Sequence, residues 1–144
     1  MNRSLSLVLC MLCASSALAE PTPSPQSAAT ALIEAELLAP LREVELKRSP
    51  FSRVPRRPLE RTLRVVERAG QVDAQGRTFL SFAIDVRKPS TDGSRLEKNA
   101  IVGCVYVDQR EVYVRAGARY QRAKDMLAKS EVMRRDVCRA AGSR

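Results

Sequence analysis

Apolar and polar residues alternate along the middle of the chain with the period of two that is typical of half-buried β-strands. The clearest example runs from Thr78 to Arg87, where every second residue is large and apolar. Turn-forming residues separate this stretch from similar stretches on both sides. The alternation therefore predicts an antiparallel meander of about four to five strands, at 62–68, 78–87, 99–107, 111–115 and 118–121.

Helical periodicity flanks these strands at both ends. A helix is predicted over 27–39, with Ser27 as its cap. We expect Pro40 to kink or end it near Leu38, because proline lacks the backbone donor and clashes with the preceding turn. Apolar residues recur at helical spacing over 123–137 and predict a C-terminal helix. Helices before and after a run of strands indicate an α+β fold, with both helices packed on the sheet.

The N-terminal residues have the three parts of a secretory signal peptide. Arg3 is basic, residues 5–13 are apolar, and Ala17-Leu18-Ala19 is a small-x-small cleavage site. The apolar run is shorter than the roughly 20 residues that cross a bilayer. We expect cleavage after Ala19 and export, either to the periplasm or as a secreted protein. A lipoprotein is the alternative, although Cys10 and Cys13 follow leucines and not the small residue that normally precedes a lipidated cysteine.

Proline content and charge divide the rest of the chain into four parts. The segment 47–61 contains three prolines, which exclude both a helix and a central strand. We interpret it as an extended connector on the surface. The predicted organisation is a signal peptide at 1–19, a Pro-rich leader at 20–26, an N-terminal helical segment at 27–46, the basic Pro-rich connector at 47–61 and a single α+β domain at 62–141.

Basic residues outnumber acidic ones by 25 to 16, which gives a formal net charge of +9. The excess is concentrated in 42–68 and 110–144, and such a surface attracts polyanions. Arginines along the connector offer planar forks of donors to phosphates or carboxylates. The candidate anion-binding residues are Arg48, Arg53, Arg56, Arg57 and Arg61.

The partners expected for an exported basic strip are an anionic envelope polymer or an acidic protein. Nucleic acid is not favoured, because Phe51 is the only aromatic residue in the strip and the chain has no tryptophan. A solvated connector without a ligand is the competing interpretation of the same residues.

Residue types that commonly carry catalysis are scarce. The chain has no histidine, which excludes His-based triads, Cys-His dyads and zinc sites of the usual Cys/His kind. Its six glycines lack the spacing of a phosphate-binding loop. Asp73 and Asp85 are a carboxylate pair, but Asp73 lies in a predicted turn, where aspartate commonly bonds the backbone. We therefore predict a protein that is not an enzyme, with no catalytic residue, metal site or cofactor.

Cys104 and Cys138 are the cysteines that remain after signal cleavage. Cys104 lies on the third predicted strand and shares a face with Val102 and Tyr106, whereas Cys138 lies near the end of the predicted C-terminal helix. In an oxidising compartment we expect the two to pair and to pin that helix to the sheet. A buried pair of free thiols and an intermolecular bridge are the alternatives.

A helix followed by an antiparallel meander resembles the cystatin architecture, and residues 71–76, QVDAQG, resemble its Q-x-V-x-G loop. That loop needs a valine at position 73 and a glycine at position 75, so we interpret these residues as a turn and assign no family. The favoured function is an exported, non-enzymatic interaction protein that binds an anionic partner through an Arg-rich surface. The alternative is a structural, accessory or inhibitor-like module that acts through its sheet or loops, with the basic charge incidental.

Overall fold

The computed structural model describes residues 21–47, 60–66, 70–89 and 96–142. The predicted signal peptide lies outside these residues, as do Arg48, Arg53, Arg56 and Arg57 of the connector. No helix within the described ranges combines the length and the apolar character needed to cross a membrane.

The N-terminal helical segment begins two residues earlier than the sequence predicts, at Pro25. Helix α1 (Pro25–Ile33) is followed by a π-helical turn (Glu34–Leu38) and by helix α2 (Ala39–Lys47). The side chain of Ser24 accepts the N–H of Ser27 at 3.2 Å, and Pro25 occupies the first helical position. Ser24 is therefore the cap, and the prediction of Ser27 as the cap is wrong.

The prediction that Pro40 ends the helix near Leu38 is also wrong, because the helix continues through this residue. The alternative, a local irregularity before the proline, fits the π-helical turn that finishes at Leu38. In the π-helical turn, the N–H of Ala39 donates to the carbonyl of Glu34, five residues earlier. A π-helical turn is wider than an α-helical one, which moves the proline ring away from the carbonyl it would otherwise meet. One local change of period thus accommodates the proline inside a helix.

The strands form an antiparallel meander, and the α+β fold predicted from the sequence is confirmed. The order across the sheet is β1-β3-β4-β5-β6. The short β2 pairs with the first residues of β3, and β1 pairs with its later part, so both lie along the same edge of β3. The strands are β1 (Glu60–Val65), β2 (Gln71–Val72), β3 (Thr78–Pro89), β4 (Leu96–Tyr106), β5 (Glu111–Ala116) and β6 (Arg119–Arg122).

The helical segment covers one face of the sheet and encloses the main core. The large apolar residues of β3 face this core as their alternation predicts, and Gly103 of β4 leaves room beside them. A Cβ atom on Gly103 would lie 2.6 Å from the Phe82 ring and 2.0 Å from the carbonyl oxygen of Tyr113. The core residues include Leu32, Ile33, Leu37, Leu38, Phe82, Ile84, Val86, Val105, Val112 and Val114.

The predicted C-terminal helix exists only at its start. Helix α3 (Ala123–Leu127) ends before Lys129, which adopts a positive φ of 56°. The C-terminal segment, residues 130–142, then continues without a helix: Arg134 pairs with Tyr120, and Ala140 pairs with Asp73. Backbone pairing with the sheet region replaces the helical hydrogen bonds, so the prediction of a helix as far as 137 is wrong.

Candidate functional site

A disulfide bond joins Cys104 of β4 to Cys138 of the C-terminal segment, with the Cα atoms 5.7 Å apart. This is the predicted pairing, but Cys138 does not lie in a helix. Its φ of 59° falls in the left-handed region that residues other than glycine rarely adopt. Its N–H donates to the hydroxyl oxygen of Tyr106 at 2.9 Å. The bridge thus pins a non-helical segment, and not a helix, to the second face of the sheet.

Asp73 is the centre of a buried polar cluster beside this bridge. Its side chain is buried, and one carboxylate oxygen accepts the backbone N–H groups of Gln75 and Arg77, each at 2.9 Å. The other oxygen accepts the Nε–H of Arg77 and the hydroxyl of Tyr106, both at 2.9 Å. The guanidinium of Arg77 also lies 4.5 Å from the centre of the Tyr106 ring. The structural role expected for Asp73 in the turn fits these contacts.

The cluster sets the protonation states of its own members. Burial raises the pKa of Asp73, but hydrogen bonds from Arg77, Tyr106 and Gln75 outweigh burial and hold this pKa below its ordinary value of 3.8. Burial, together with the neighbouring carboxylate, raises the pKa of Tyr106 to about 12. At neutral pH, Asp73 is therefore charged, and Tyr106 remains a hydroxyl that donates to Asp73 while accepting from Cys138.

A cavity of about 480 Å³ adjoins this cluster, and we call it the arginine cavity. The turn before β3, the first residue of β6 and the C-terminal segment each form part of its wall. Its lining residues are Gln75, Arg77, Arg119, Met133, Arg134, Arg135, Asp136 and Val137.

The charges of the arginine cavity do not balance. The charge of Arg77 is matched by Asp73, since Nη2 lies 2.8 Å from the carboxylate. The other three arginines are exposed, and their side chains make no hydrogen bond or ion pair with another described residue. Asp136 is the only acidic residue of the lining, so positive charge remains in excess. The unpaired arginines are Arg119, Arg134 and Arg135.

Backbone pairing holds two of these arginines opposite each other. The N–H and carbonyl groups of Tyr120 and Arg134 bond reciprocally at 2.8 and 2.7 Å. Antiparallel pairing at this point brings Arg119 and Arg135 to facing positions on the two segments. Like charges at facing positions repel each other, and an anion bound between them would remove that repulsion.

Only Arg61 of the predicted anion-binding strip falls within the described residues. Its side chain is 8% exposed, and its guanidinium pairs with Glu45 of α2, so its charge is matched inside the fold. Arg48, Arg53, Arg56 and Arg57 lie outside the described residues, and their predicted role stays a prediction. Sequence reasoning missed the arginine cavity because its residues come from three separate stretches. The one feature of the sequence that could have pointed to the cavity was the excess of basic residues over 110–144.

Comparisons with protein-family models, curated proteins and solved structures give no match. Among the residues that the structure describes, no group of three or more histidine, cysteine, aspartate or glutamate side chains is placed to hold a metal ion. The arginine cavity is the candidate site because it combines a concave surface with an excess of positive charge.

Proposed function

We propose that the chain is an exported, non-enzymatic interaction protein that binds an anionic group of an envelope polymer or an acidic protein in the arginine cavity. The observation that carries this proposal is a set of three arginines at one concave site whose side chains pair with no other residue in the described part of the chain. Guanidinium groups bond phosphate and carboxylate oxygens through two parallel N–H donors, and such bonds are stronger than neutral ones.

The arrangement of charges at the site favours part of a larger ligand. The volume of about 480 Å³ lies within the usual range for small-molecule sites. Three guanidinium groups on two chain segments suit a ligand with more than one anionic group, such as consecutive phosphates of a polymer or neighbouring acidic side chains. Because Arg119, Arg134 and Arg135 are exposed, ions in solution screen their charges. Binding should therefore weaken as the salt concentration rises.

Two charge-matched variants test where the anion binds. Arg119→Gln, Arg134→Gln and Arg135→Gln together remove the unpaired cations of the cavity. Arg53→Gln, Arg56→Gln and Arg57→Gln together remove the same charge from the predicted connector strip. Affinity is measured by calorimetry with linear polyphosphate and with polyglutamate, which separates a phosphate polymer from an acidic protein as the source of the anion.

We expect the cavity variant to bind the preferred polymer about tenfold or more weakly, since each charge-assisted hydrogen bond contributes roughly 1.5–3 kcal/mol. The connector variant should retain most of the affinity. Both should keep nearly the stability of the natural chain, because surface substitutions change it by about 0.5 kcal/mol or less each. Equal losses in the two variants would show diffuse attraction without a site. If both variants bind one particular protein partner and salt does not weaken that binding, the alternative of a structural, accessory or inhibitor-like module is favoured.

A further inference from the structure

The C-terminal segment supplies most of the wall of the arginine cavity but has little regular structure to hold it. Arg134 and Arg135 belong to this segment, as do Met133, Asp136 and Val137. Between residues 130 and 142, the only ladder contacts are the isolated bridges of Arg134 with Tyr120 and of Ala140 with Asp73. The position of these arginines therefore depends on contacts that anchor the segment at a few points.

The disulfide is the covalent anchor, and it lies immediately after the cavity residues in the chain. Cys138 is the next residue after Val137, which is buried against the second face of the sheet. The left-handed conformation of Cys138 is one that a non-glycine residue keeps only when its surroundings impose it. The surroundings here are the bond to Cys104 and the hydrogen bond to Tyr106.

From this arrangement we propose that disulfide formation assembles the arginine cavity, so that only the oxidised chain binds the anion. This inference rests on the proposed function. On oxidation, the thiols of Cys104 and Cys138 release two protons and pass two electrons to the disulfide of a thioredoxin-like oxidoreductase, which becomes a dithiol. On reduction, one thiolate of a dithiol attacks the sulfur of Cys138, which is partly exposed, and Cys104, which is 1% exposed, leaves as the thiolate. The second thiolate of the dithiol then attacks its own sulfur in the mixed disulfide, releases Cys138 and becomes a disulfide.

Binding would then depend on the redox conditions of the compartment that holds the chain. A chain that still holds both thiols keeps the sheet and its main core, because the helical segment packs on the face opposite Cys104. Its C-terminal segment, however, is free to leave the conformation that Cys138 requires. In that state we expect the backbone bonds between Arg134 and Tyr120 to open as well, so that Arg134 and Arg135 separate from Arg119 and the facing pair that would bind the anion is lost.

The test compares the oxidised mature chain with the same chain reduced by a phosphine, using linear polyphosphate as the probe. We expect reduction to weaken binding about tenfold or more and reoxidation to restore it. The double variant Cys104→Ala with Cys138→Ala should behave like the reduced chain. Hydrogen exchange should show loss of protection in residues 130–142 while strands β3 and β4 stay protected.

The outcomes separate the two proposals. If the oxidised chain does not bind polyphosphate or polyglutamate, the proposed function fails. If the oxidised chain binds and the reduced chain binds equally well, disulfide-dependent assembly is overturned and the proposed function stands. Loss of binding on reduction together with loss of hydrogen-exchange protection in β3 and β4 would also overturn disulfide-dependent assembly, because the disulfide would then hold the whole fold and not the site alone.

Discussion

Replacing Tyr106 with phenylalanine tests the polar cluster that holds the C-terminal segment. The Tyr106 side chain is fully buried, and its hydroxyl both donates to Asp73 and accepts the N–H of Cys138. The change leaves Asp73 with one donor fewer and leaves that N–H without an acceptor. The ring itself stays in contact with Phe79 and Tyr113, whose centroids lie 5.6 and 5.8 Å away, so the change vacates only the space of the hydroxyl.

The expected loss follows from these two contacts. A hydrogen bond to a charged group contributes about 1.5–3 kcal/mol, and a buried donor left unpaired costs about 1–3 kcal/mol. Because the two effects share one hydroxyl and partial relaxation is available, we expect the free energy of unfolding to fall by about 3 kcal/mol. The loss should be local first, with faster hydrogen exchange in residues 130–142 than in the sheet.

Tyr113→Phe is the matched control. This side chain is equally buried, but its hydroxyl bonds side chains of the sheet, donating to Glu111 at 2.8 Å and accepting from Arg122, and the described contacts give it no backbone group of the C-terminal segment. We expect this variant to lose about 1.5 kcal/mol, the lower end for a bond to a charged group, because Glu111 is partly exposed and keeps its ion pair with Arg122. Urea unfolding measures both variants, provided that the denaturant slope is unchanged. If Tyr106→Phe loses no more stability than Tyr113→Phe, the cluster does not anchor the segment.

Two further predictions concern the same fold. The pKa of Asp73 is lower in the folded chain than in the unfolded one, so its stabilisation is present above about pH 4 and is lost as the pH falls through the folded pKa. Asp73→Asn should remove that part of the acid dependence in urea unfolding between pH 7 and 3, and a curve parallel to that of the natural chain would contradict this assignment. Gly103→Ala should lower the thermal midpoint and cost about 1–3 kcal/mol, since its Cβ would lie 2.0 Å from the Tyr113 carbonyl oxygen. An unchanged midpoint would show that β4 and β5 separate without cost.

The strands were predictable because one face of the sheet is buried along most of its length. The alternation over Thr78–Arg87 predicted both the strand and the face of it that is buried, and Phe82 and Ile84 lie in the core as expected. The helix ends were less predictable, because tertiary contacts decide them. A π-helical turn carries the chain through Pro40, and pairing with Tyr120 draws Arg134 out of the helical period.

The disulfide was predictable from the cysteine count together with the expectation of export, whereas the cavity was not. Arg77, Arg119 and Arg135 are distant in sequence, and no local pattern relates them. Their proximity depends on the non-helical path of the C-terminal segment, which hydrophobic spacing indicated as a helix. The ion pair that buries Arg61 was not predictable for a similar reason, since its partner Glu45 belongs to helix α2 and is distant in sequence.

NMR chemical shifts of backbone amides and arginine Nε–H groups, followed as linear polyphosphate is titrated into the oxidised chain from residue 20 onwards, report binding residue by residue. We predict saturable changes centred on Arg119, Arg134 and Arg135 that disappear at high salt. Changes centred on Arg53, Arg56 and Arg57, or spread evenly over the basic surface without saturation, would contradict an anion-binding site in the arginine cavity.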